Sequence, residues 1–527
     1  MPSHFGSELA RQILGLAERQ SAETLTSVGR FGDSSEPLRV VFPSRFDGLS
    51  ERDAHRLRGL RELFDMSRGP LEAELGVRLS LGETPAMGPG QRWLVGPAAC
   101  TPELAELGLE PSSAPVVRRL REERVLVTDA PDAVGLFESL SLLRSFAWAA
   151  GDTLEARPCT SIEAALLRVA EEVAHTWPSF ARRGISWIDL CLRHADALSS
   201  SSQPLDTLEE MVAQLEDAHT AVRRTDTVLP PHFRARVTDG ELILHEVPED
   251  SAAWRAGVRE GYRLSGFDVA SGWRRIGATP QHRPFAVAFR LLCGAERDEA
   301  EFTAVGPHGQ LARWTESYRQ REPESLVSWR SMPSGAGYLR IEQWPSSHRI
   351  DELIDAAFAE FQNCPGLVVD LRGNPGGSVS VAARFRDRFL RERTLLGAIQ
   401  YTRCDGALTP AEELWAEPAA TQRRWPRAVR FLTDGGTYSA SEDALLGLQG
   451  LDHVEVLGMP SGGGSGRARS ISLLPGWRLM VSSCLTFDRQ GRCIEGDGIT
   501  VDRSIAMGQR THLAWSEELL AVADSGW

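Results

Sequence analysis

From residue 335 onward the sequence alternates short apolar runs with amphipathic stretches, and this alternation constrains the fold more than any other feature. The segment Gly366-Leu-Val-Val-Asp370 is apolar up to its final carboxylate, which is typical of a strand buried on both faces of a parallel sheet. Further strands are predicted at 337–341, 428–432 and 454–457, and helices at 350–361, 379–390 and 441–448. Because short βαβ units connect parallel strands by right-handed crossovers, the pattern predicts a largely parallel sheet.

Periodicity and composition predict an α/β multidomain protein with four segments. Residues 1–155 read as an N-terminal α/β accessory region without a chemical motif; strands are expected at 38–42, 92–95 and 124–127, and helices at 54–64 and 133–148. Residues 156–225 form a helical lead-in, which the serine run before Pro204 is expected to break. Residues 226–320 are β-rich, and residues 321–527 contain the α/β core.

The β-rich segment has a recognisable local order. A strand is followed by a short helix that ends at Gly257, and a second glycine turn at Gly261 leads into another strand. This run resembles the middle of a PDZ domain, although Tyr262 stands where the usual aspartate would be. The helix predicted at 284–292 corresponds to the second PDZ helix, which lines the peptide groove. The resemblance implies a PDZ-like module at 226–320.

Composition excludes several classes of function. The formal net charge is −14, with 72 acidic and 58 basic residues, which disfavours nucleic acid or an anionic membrane as a partner. All the basic residues are arginine, so a Schiff-base lysine, a Walker-type phosphate loop and a Ser-Lys dyad within this chain are excluded. No apolar run approaches the roughly 18 residues of a membrane-spanning helix, and the charged residues among the first 25 argue against a secretory signal.

The 8 cysteines are scattered and form no Cys-x-x-Cys pair. This spacing indicates reduced thiols and a cytoplasmic location, and it provides no zinc signature. The sequence indicates neither a metal ion nor an organic cofactor.

Four places in the sequence could carry chemistry, and each also has a purely structural interpretation. The glycines of Asp370-Leu-Arg-Gly-Asn-Pro-Gly-Gly377 could direct backbone N–H groups at an oxyanion, or they could form a plain tight turn. Ser439 stands at a strand-to-helix junction, like the serine of a nucleophile elbow, but with Glu442 it also fits a helix capping box. Taken alone, Glu495 reads as a solvated loop acid, and His219 reads as a structural histidine.

Together these places resemble the C-terminal-processing (tail-specific) serine peptidases and the core of the tricorn protease. The chain contains Leu215-Glu-Asp-Ala-His219-Thr220, the PDZ-like insert, the 370–377 motif, Ser439-Ala-Ser-Glu442, and Glu495-Gly-Asp-Gly-Ile-Thr-Val-Asp502, in that order. The resemblance covers about two-thirds of the chain, from 161 to 506. It implies a crotonase-like core with Ser439 as the nucleophile.

The two branches of this resemblance use different general bases. The tail-specific branch activates its serine with a lysine, and Gly464 stands at that position here. The tricorn-like branch uses a histidine from the helical lead-in and a glutamate from the closing loop, positions that His219 and Glu495 occupy. One departure is Ala218, where tricorn has a serine that also hydrogen-bonds the glutamate.

The resemblance therefore implies a serine endopeptidase with a Ser439–His219–Glu495 site. His219, with an ordinary pKa near ~6.5, would take the serine proton, Glu495 would orient the imidazole, and Ala440 with Gly376 or Gly377 would bind the oxyanion. The expected partner is a polypeptide substrate, with its C-terminus as a candidate recognition element. Two alternatives stay open: a catalytically silent ligand-binding protein of the same fold, and an esterase or peptide cyclase that uses the same site.

Overall fold

The computed structural model describes residues 38–42, 79–81, 92–96, 107–120, 124–131, 153–225, 228–295, 298–403, 406–507 and 511–527, with single residues at 104, 136, 139, 140 and 143. The helix predicted at 54–64 and most of the one predicted at 133–148 lie outside these residues. The chain forms two compact units. One comprises residues 1–211, 399–412 and 466–485, and the other comprises residues 212–398, 413–465 and 486–527.

A mixed six-stranded sheet lies in the N-terminal part of the first unit. Its strands are β1 (Leu38–Val41), β2 (Leu79–Leu81), β3 (Arg92–Val95), β4 (Val116–Leu120), β5 (Val125–Asp129) and β6 (Thr153–Glu155), in the order β2-β1-β3-β5-β4-β6. Strands β2, β1, β3 and β5 are parallel, and β4 runs antiparallel to β5 and β6. The three strands that we predicted here are confirmed to within two residues.

Helices follow as the lead-in predicts: α1 (Ile162–Thr176), α2 (Phe180–Arg183), α3 (Trp187–Ser200) and α4 (Pro204–Ala213). The Ser161 hydroxyl caps α1 by accepting the Ala164 N–H. The predicted break at the serine run before Pro204 is confirmed, because α3 ends at Ser200 and Pro204 begins α4. Proline is tolerated in the first helical turn, where its missing N–H would have no intrahelical partner. Strands β22 (Arg469–Leu474) and β23 (Trp477–Val481) pair as an antiparallel hairpin in the same unit.

The second unit begins with β7 (Ala221–Arg224) and β8 (Val228–Leu229), and continues into a five-stranded antiparallel sheet. That sheet has the order β14-β13-β11-β10-β9 and consists of β9 (Arg234–Thr238), β10 (Glu241–Glu246), β11 (Arg263–Leu264), β13 (Glu299–Val305) and β14 (Leu311–Ser317). Between these strands lie α5 (Ala252–Arg255), α6 (Val269–Arg275), α7 (Arg283–Leu292) and the short strand β12 (Gly294–Ala295). Helix α7 packs against β9, and apolar residues of both contribute to one buried cluster.

A second, six-stranded sheet forms the core of this unit, in the order β15-β16-β17-β20-β21-β25. Its strands are β15 (Val327–Ser331), β16 (Gly337–Ile341), β17 (Leu367–Asp370), β20 (Val429–Thr433), β21 (Val454–Gly458) and β25 (Arg503–Ser504). All are parallel except the edge strand β15, so the predicted parallel sheet is confirmed. Every residue of β17 is buried, as its continuously apolar sequence predicts.

Helices cover this sheet; all but the last contribute apolar residues to its main buried cluster, and the last contributes Trp515, Leu519 and Ala523 to a separate one. They are α8 (Arg349–Glu360), α9 (Val379–Asp387) and α10 (Ala440–Leu445), followed by the kinked turn α11 (Ile494–Asp497) and by α12 (His512–Asp524). The remaining strands are β18 (Thr394–Tyr401), β19 (Glu412–Ala416) and β24 (Cys484–Asp488). Within the described part of the chain, no helix is both long and apolar enough to span a membrane.

Candidate active site

Ser439 lies in a strained turn between β20 and α10. Its backbone has φ +57° and ψ −122°, a conformation rare for a residue with a Cβ, and such strain costs on the order of 1–3 kcal/mol. The Tyr438 N–H donates to the Asn374 carbonyl at 2.9 Å, which ties this turn to the loop after β17. This is the strand–turn–helix geometry of a nucleophile elbow.

The carboxylate of Glu442 holds this turn in place from within α10. It accepts hydrogen bonds from the Ser439 N–H at 3.0 Å, the Ser461 hydroxyl at 2.6 Å, and the N–H groups of Gly463 and Gly464, both at 2.8 Å. Burial raises the pKa of Glu442 to about 7, although these hydrogen bonds oppose the shift. Glu442 therefore links the nucleophile turn to the loop that follows β21.

His219 contacts the predicted nucleophile directly. Its Nε2 lies 3.0 Å from Ser439 Oγ. The turn that carries it is built by Asp217, which accepts the His219 N–H at 2.8 Å and the Thr220 hydroxyl at 2.7 Å. Burial lowers the pKa of His219 to about 4; Asp217 opposes this shift and Arg223 adds to it. The imidazole is therefore neutral at pH 7, the state that a general base requires.

Glu495 is buried near the same site, in the kinked turn α11. Its carboxylate accepts the Ser465 N–H at 3.1 Å, and its charge helps to raise the pKa of Tyr438. At Nδ1 of His219, the nitrogen that we expected Glu495 to orient, the structure places the Tyr438 hydroxyl at 3.3 Å.

The predicted oxyanion donors differ in their availability. The Gly376 N–H already donates to Asn374 Oδ1 at 3.0 Å. Among the hydrogen bonds of the described residues, none uses the N–H of Ala440 or of Gly377. A Cβ on Gly376 would lie 2.8 Å from Ala440 N, so the two loops are in direct contact. Ala440 and Gly377 are therefore the better-suited pair of donors for an oxyanion, and Gly376 shapes the loop.

Asp370 and Arg372, which open the glycine motif, form a buried ion pair. Arg372 binds the carboxylate through both Nε and Nη2, at 2.9 and 2.6 Å, and the Tyr338 hydroxyl donates to it at 2.7 Å. Burial alone would raise the pKa of Asp370, but Arg372 and Arg340 together lower it well below its usual value. These residues support the loop that carries Gly376 and Gly377.

Sequence reasoning missed Tyr438 and His282. The two rings are stacked, with centroids 3.8 Å apart and planes 5° apart. His282 comes from the predicted PDZ-like module, and its Nδ1–H donates to the Gly435 carbonyl at 2.8 Å. A Cβ on Gly464 would lie 2.0 Å from the Tyr438 hydroxyl, so the position expected for a lysine borders space that the phenol fills. The glycines at 462–464 were the available signal, because they leave room for a large neighbouring side chain.

The described residues contain no cluster of histidine, cysteine and carboxylate side chains that could hold a metal ion. The six cysteines among them are not joined in disulfides: Cys159, Cys191, Cys293, Cys364, Cys484 and Cys493.

Comparison with known families assigns the segment that contains most of the parallel sheet. Residues 335–505, which contain the glycine motif, Ser439 and Glu495, match the model of peptidase family S41. The chain carries an S41 peptidase domain. It is accordingly a serine-type peptidase, a hydrolase that acts on polypeptides, as the sequence predicts.

Solved structures are similar to this chain at low sequence identity. Mature CPAF in complex with lactacystin is 12% identical, with a TM-score of 0.52, and the match covers 69% of this chain and 98% of that one. A putative peptidase from Parabacteroides merdae is 21% identical (TM-score 0.44; 70% and 100% covered). The photosystem II D1 C-terminal processing protease is 18% identical (TM-score 0.46; 69% and 99% covered). No curated protein sequence matches the chain.

Proposed function

We propose that this S41 peptidase is an endopeptidase that cleaves polypeptides through an acyl-enzyme, with Ser439 as the nucleophile, His219 as the base and Glu495 as the supporting carboxylate. The observation that carries the proposal is the 3.0 Å contact between His219 Nε2 and Ser439 Oγ. A serine hydroxyl is a weak nucleophile at neutral pH, and a neutral imidazole at this distance can take its proton during attack.

The reaction follows from these positions. As Ser439 Oγ attacks the peptide carbonyl, its proton passes to His219 Nε2 and the carbonyl oxygen becomes an oxyanion, which the Ala440 and Gly377 N–H groups would receive. The imidazolium then gives its proton to the leaving amine, and the C–N bond breaks. Water, deprotonated by the same imidazole, attacks the acyl-enzyme and releases the acid. The negative charge of Glu495 favours the imidazolium during both halves of the cycle.

We further propose that the core is crotonase-like and that residues 226–320 are a PDZ-like module that presents substrate. The antiparallel sheet with α7 alongside β9 supports the module, because PDZ domains bind an extended chain by strand addition next to such a helix. A free substrate C-terminus is the recognition element that this binding mode favours. The module also contacts the site itself: Gln281 Nε2 donates to the Gly496 carbonyl at 2.9 Å, beside Glu495.

We also propose a cytoplasmic location for this S41 peptidase. The described cysteines support it because they form no disulfide, and reduced cysteines persist in reducing compartments.

A fluorophosphonate probe tests the proposed chemistry. The probe should label Ser439, and Ser439→Ala should abolish both labelling and turnover while the protein stays folded. Ser441→Ala is the matched control, because its buried hydroxyl accepts the Trp344 indole N–H and donates to the Asn374 carbonyl. That variant should lose stability but still react. Labelling that survives Ser439→Ala would contradict the assignment, and labelling without peptide cleavage would favour an esterase or a cyclase.

A further inference from the structure

The aromatic ring next to the nucleophile lies against the proposed base. The Tyr438 hydroxyl is 3.3 Å from His219 Nδ1, and the two rings stack with centroids 4.8 Å apart and planes 30° apart. Nε2 of the same imidazole faces Ser439. The two ring nitrogens of His219 are therefore occupied by hydroxyl groups of consecutive residues.

The site is shaped to hold this phenol in one orientation. His282 stacks on the ring, and its own position is fixed by the hydrogen bond to the Gly435 carbonyl. A Cβ on Gly462 would lie 2.5 Å from Cδ2 of the ring, and one on Gly464 would lie 2.0 Å from the hydroxyl. Two glycines and two histidines thus define a close-fitting slot in which Tyr438 is 5% exposed.

The phenol remains neutral in this slot. Burial raises its pKa well above the usual value, and the negative charges of Asp217, Glu495 and Glu442 raise it further. A neutral phenol can accept one hydrogen bond and donate another. Its oxygen can therefore accept an imidazole N–H.

The tautomer of His219 decides whether the site can react. Nε2 can accept the Ser439 proton only if the neutral ring carries its hydrogen on Nδ1. A hydroxyl that accepts from Nδ1–H selects that tautomer, whereas one that donates to Nδ1 selects the unreactive tautomer. The 3.0 Å contact between Nε2 and Ser439 Oγ favours the first arrangement, because the serine hydroxyl can donate to Nε2 only when Nε2 carries no hydrogen.

We propose that Tyr438 is a positioning residue whose hydroxyl accepts the His219 Nδ1–H and so holds the imidazole in the tautomer that deprotonates Ser439. This inference rests on the proposed function, and it adds a fourth residue to the proposed relay.

Tyr438→Phe is the direct test, because it removes the hydroxyl and keeps the stacked ring. We expect kcat to fall roughly 10- to 100-fold, part of the ~10²–10⁴ that a general base supplies, with little change in KM. The acid limb of kcat/KM should move to lower pH, because the imidazolium loses an acceptor for its Nδ1–H. Tyr318→Phe is the matched control, since that buried phenol donates to the Leu292 carbonyl at 2.8 Å and lies outside the site. It should leave kcat and the acid limb unchanged.

Unaltered kcat and an unmoved acid limb in Tyr438→Phe would overturn the positioning role. A loss of activity that is fully explained by the fraction of unfolded variant protein would also overturn it. If Tyr438→Phe does not fold, ¹⁵N-histidine NMR of the wild-type protein measures the His219 tautomer directly. The His219 signals are assigned by comparison with the His219→Gln spectrum. A neutral His219 protonated on Nδ1 supports the proposal, and one protonated on Nε2 overturns it. Failure of the proposed function is recognised separately, by turnover that persists in Ser439→Ala.

Discussion

Gly376 approaches Tyr438 so closely that a Cβ on the glycine would lie 2.7 Å from the tyrosine carbonyl oxygen. The glycine also has φ +98°, a conformation that residues with a side chain rarely adopt. Position 376 therefore requires glycine for two reasons, the lack of space for a Cβ and the backbone conformation. Because the contact is with backbone and not with a flexible side chain, it fixes the distance between the candidate oxyanion loop and the nucleophile turn.

Gly376→Ala should therefore inactivate the enzyme. The added methyl forces the two loops apart, and the fluorophosphonate labelling rate of Ser439 should fall by at least about 100-fold, the effect of losing one oxyanion donor. Gly373→Ala is the control: it has a similar φ of +66°, but its Cβ would meet nothing closer than 3.6 Å. It should lose about 1–2 kcal/mol of stability from backbone strain and retain most of its labelling rate. Equal labelling in both variants would show that the close contact does not matter.

The acid limb of kcat/KM should lie lower than the sequence alone suggests. His219 must be neutral to accept a proton, and its pKa is lowered to about 4. Activity should therefore be nearly constant from about pH 8 down to about pH 5, and fall as the pH drops through about 4. Circular dichroism at each pH separates this titration from acid unfolding. Because the pKa of Glu442 is itself raised to about 7, only an inflection near the ordinary value of ~6.5 that persists in Glu442→Gln would mean that water reaches the imidazole.

Glu495→Gln should preserve the fold and slow the reaction. The glutamine carbonyl can still accept the Ser465 N–H, but the negative charge that the proposed mechanism assigns to Glu495 is lost. We expect kcat to fall by up to about 10⁴, as for the aspartate of other triads. An unchanged kcat would remove Glu495 from the relay.

Glu442→Gln provides the contrast to this variant. Its carboxylate accepts four hydrogen bonds, and an amide group cannot replace both oxygens as acceptors. Thermal unfolding should show a loss of roughly 1–3 kcal/mol. The two buried glutamates should thus separate into one that mainly affects rate and one that mainly affects stability.

Phe289→Asp tests whether the predicted PDZ-like module presents substrate. Phe289 is 42% exposed on α7, the helix proposed to line the groove. Cleavage of long polypeptides should weaken, while hydrolysis of a small activated ester should be unchanged, because the ester does not need the groove. Leu311→Asp on β14, an apolar residue that is 59% exposed, is the control and should affect neither reaction. Equal protein cleavage by both variants would reject the presenting role.

The sequence predicted the parts of this fold that depend on local pattern. The apolar run of β17 and the alternation of strands and helices around it indicate a parallel sheet, because strands buried on both faces of such a sheet carry continuous apolar runs. The contact between His219 and Ser439 joins residues 220 positions apart, and it was predicted only through a family resemblance. The lowered pKa of His219 and the place of Tyr438 were not predictable in this way. Both depend on burial and on close contacts that form only when distant loops assemble.

The contact between Gly464 and the Tyr438 hydroxyl also bears on how a lysine base and a histidine base could replace each other during evolution. If a lysine appeared at position 464 while Tyr438 was still present, its side chain would collide with the phenol. The active site of that evolutionary intermediate would be disrupted before the lysine could act as a base. The order of substitutions is therefore constrained: the tyrosine must be lost before, or together with, the gain of the amine. Proteins descended from an ancestor with this tyrosine would therefore keep a histidine as the general base. The residue that prevents the change, Tyr438, takes no part in bond breaking.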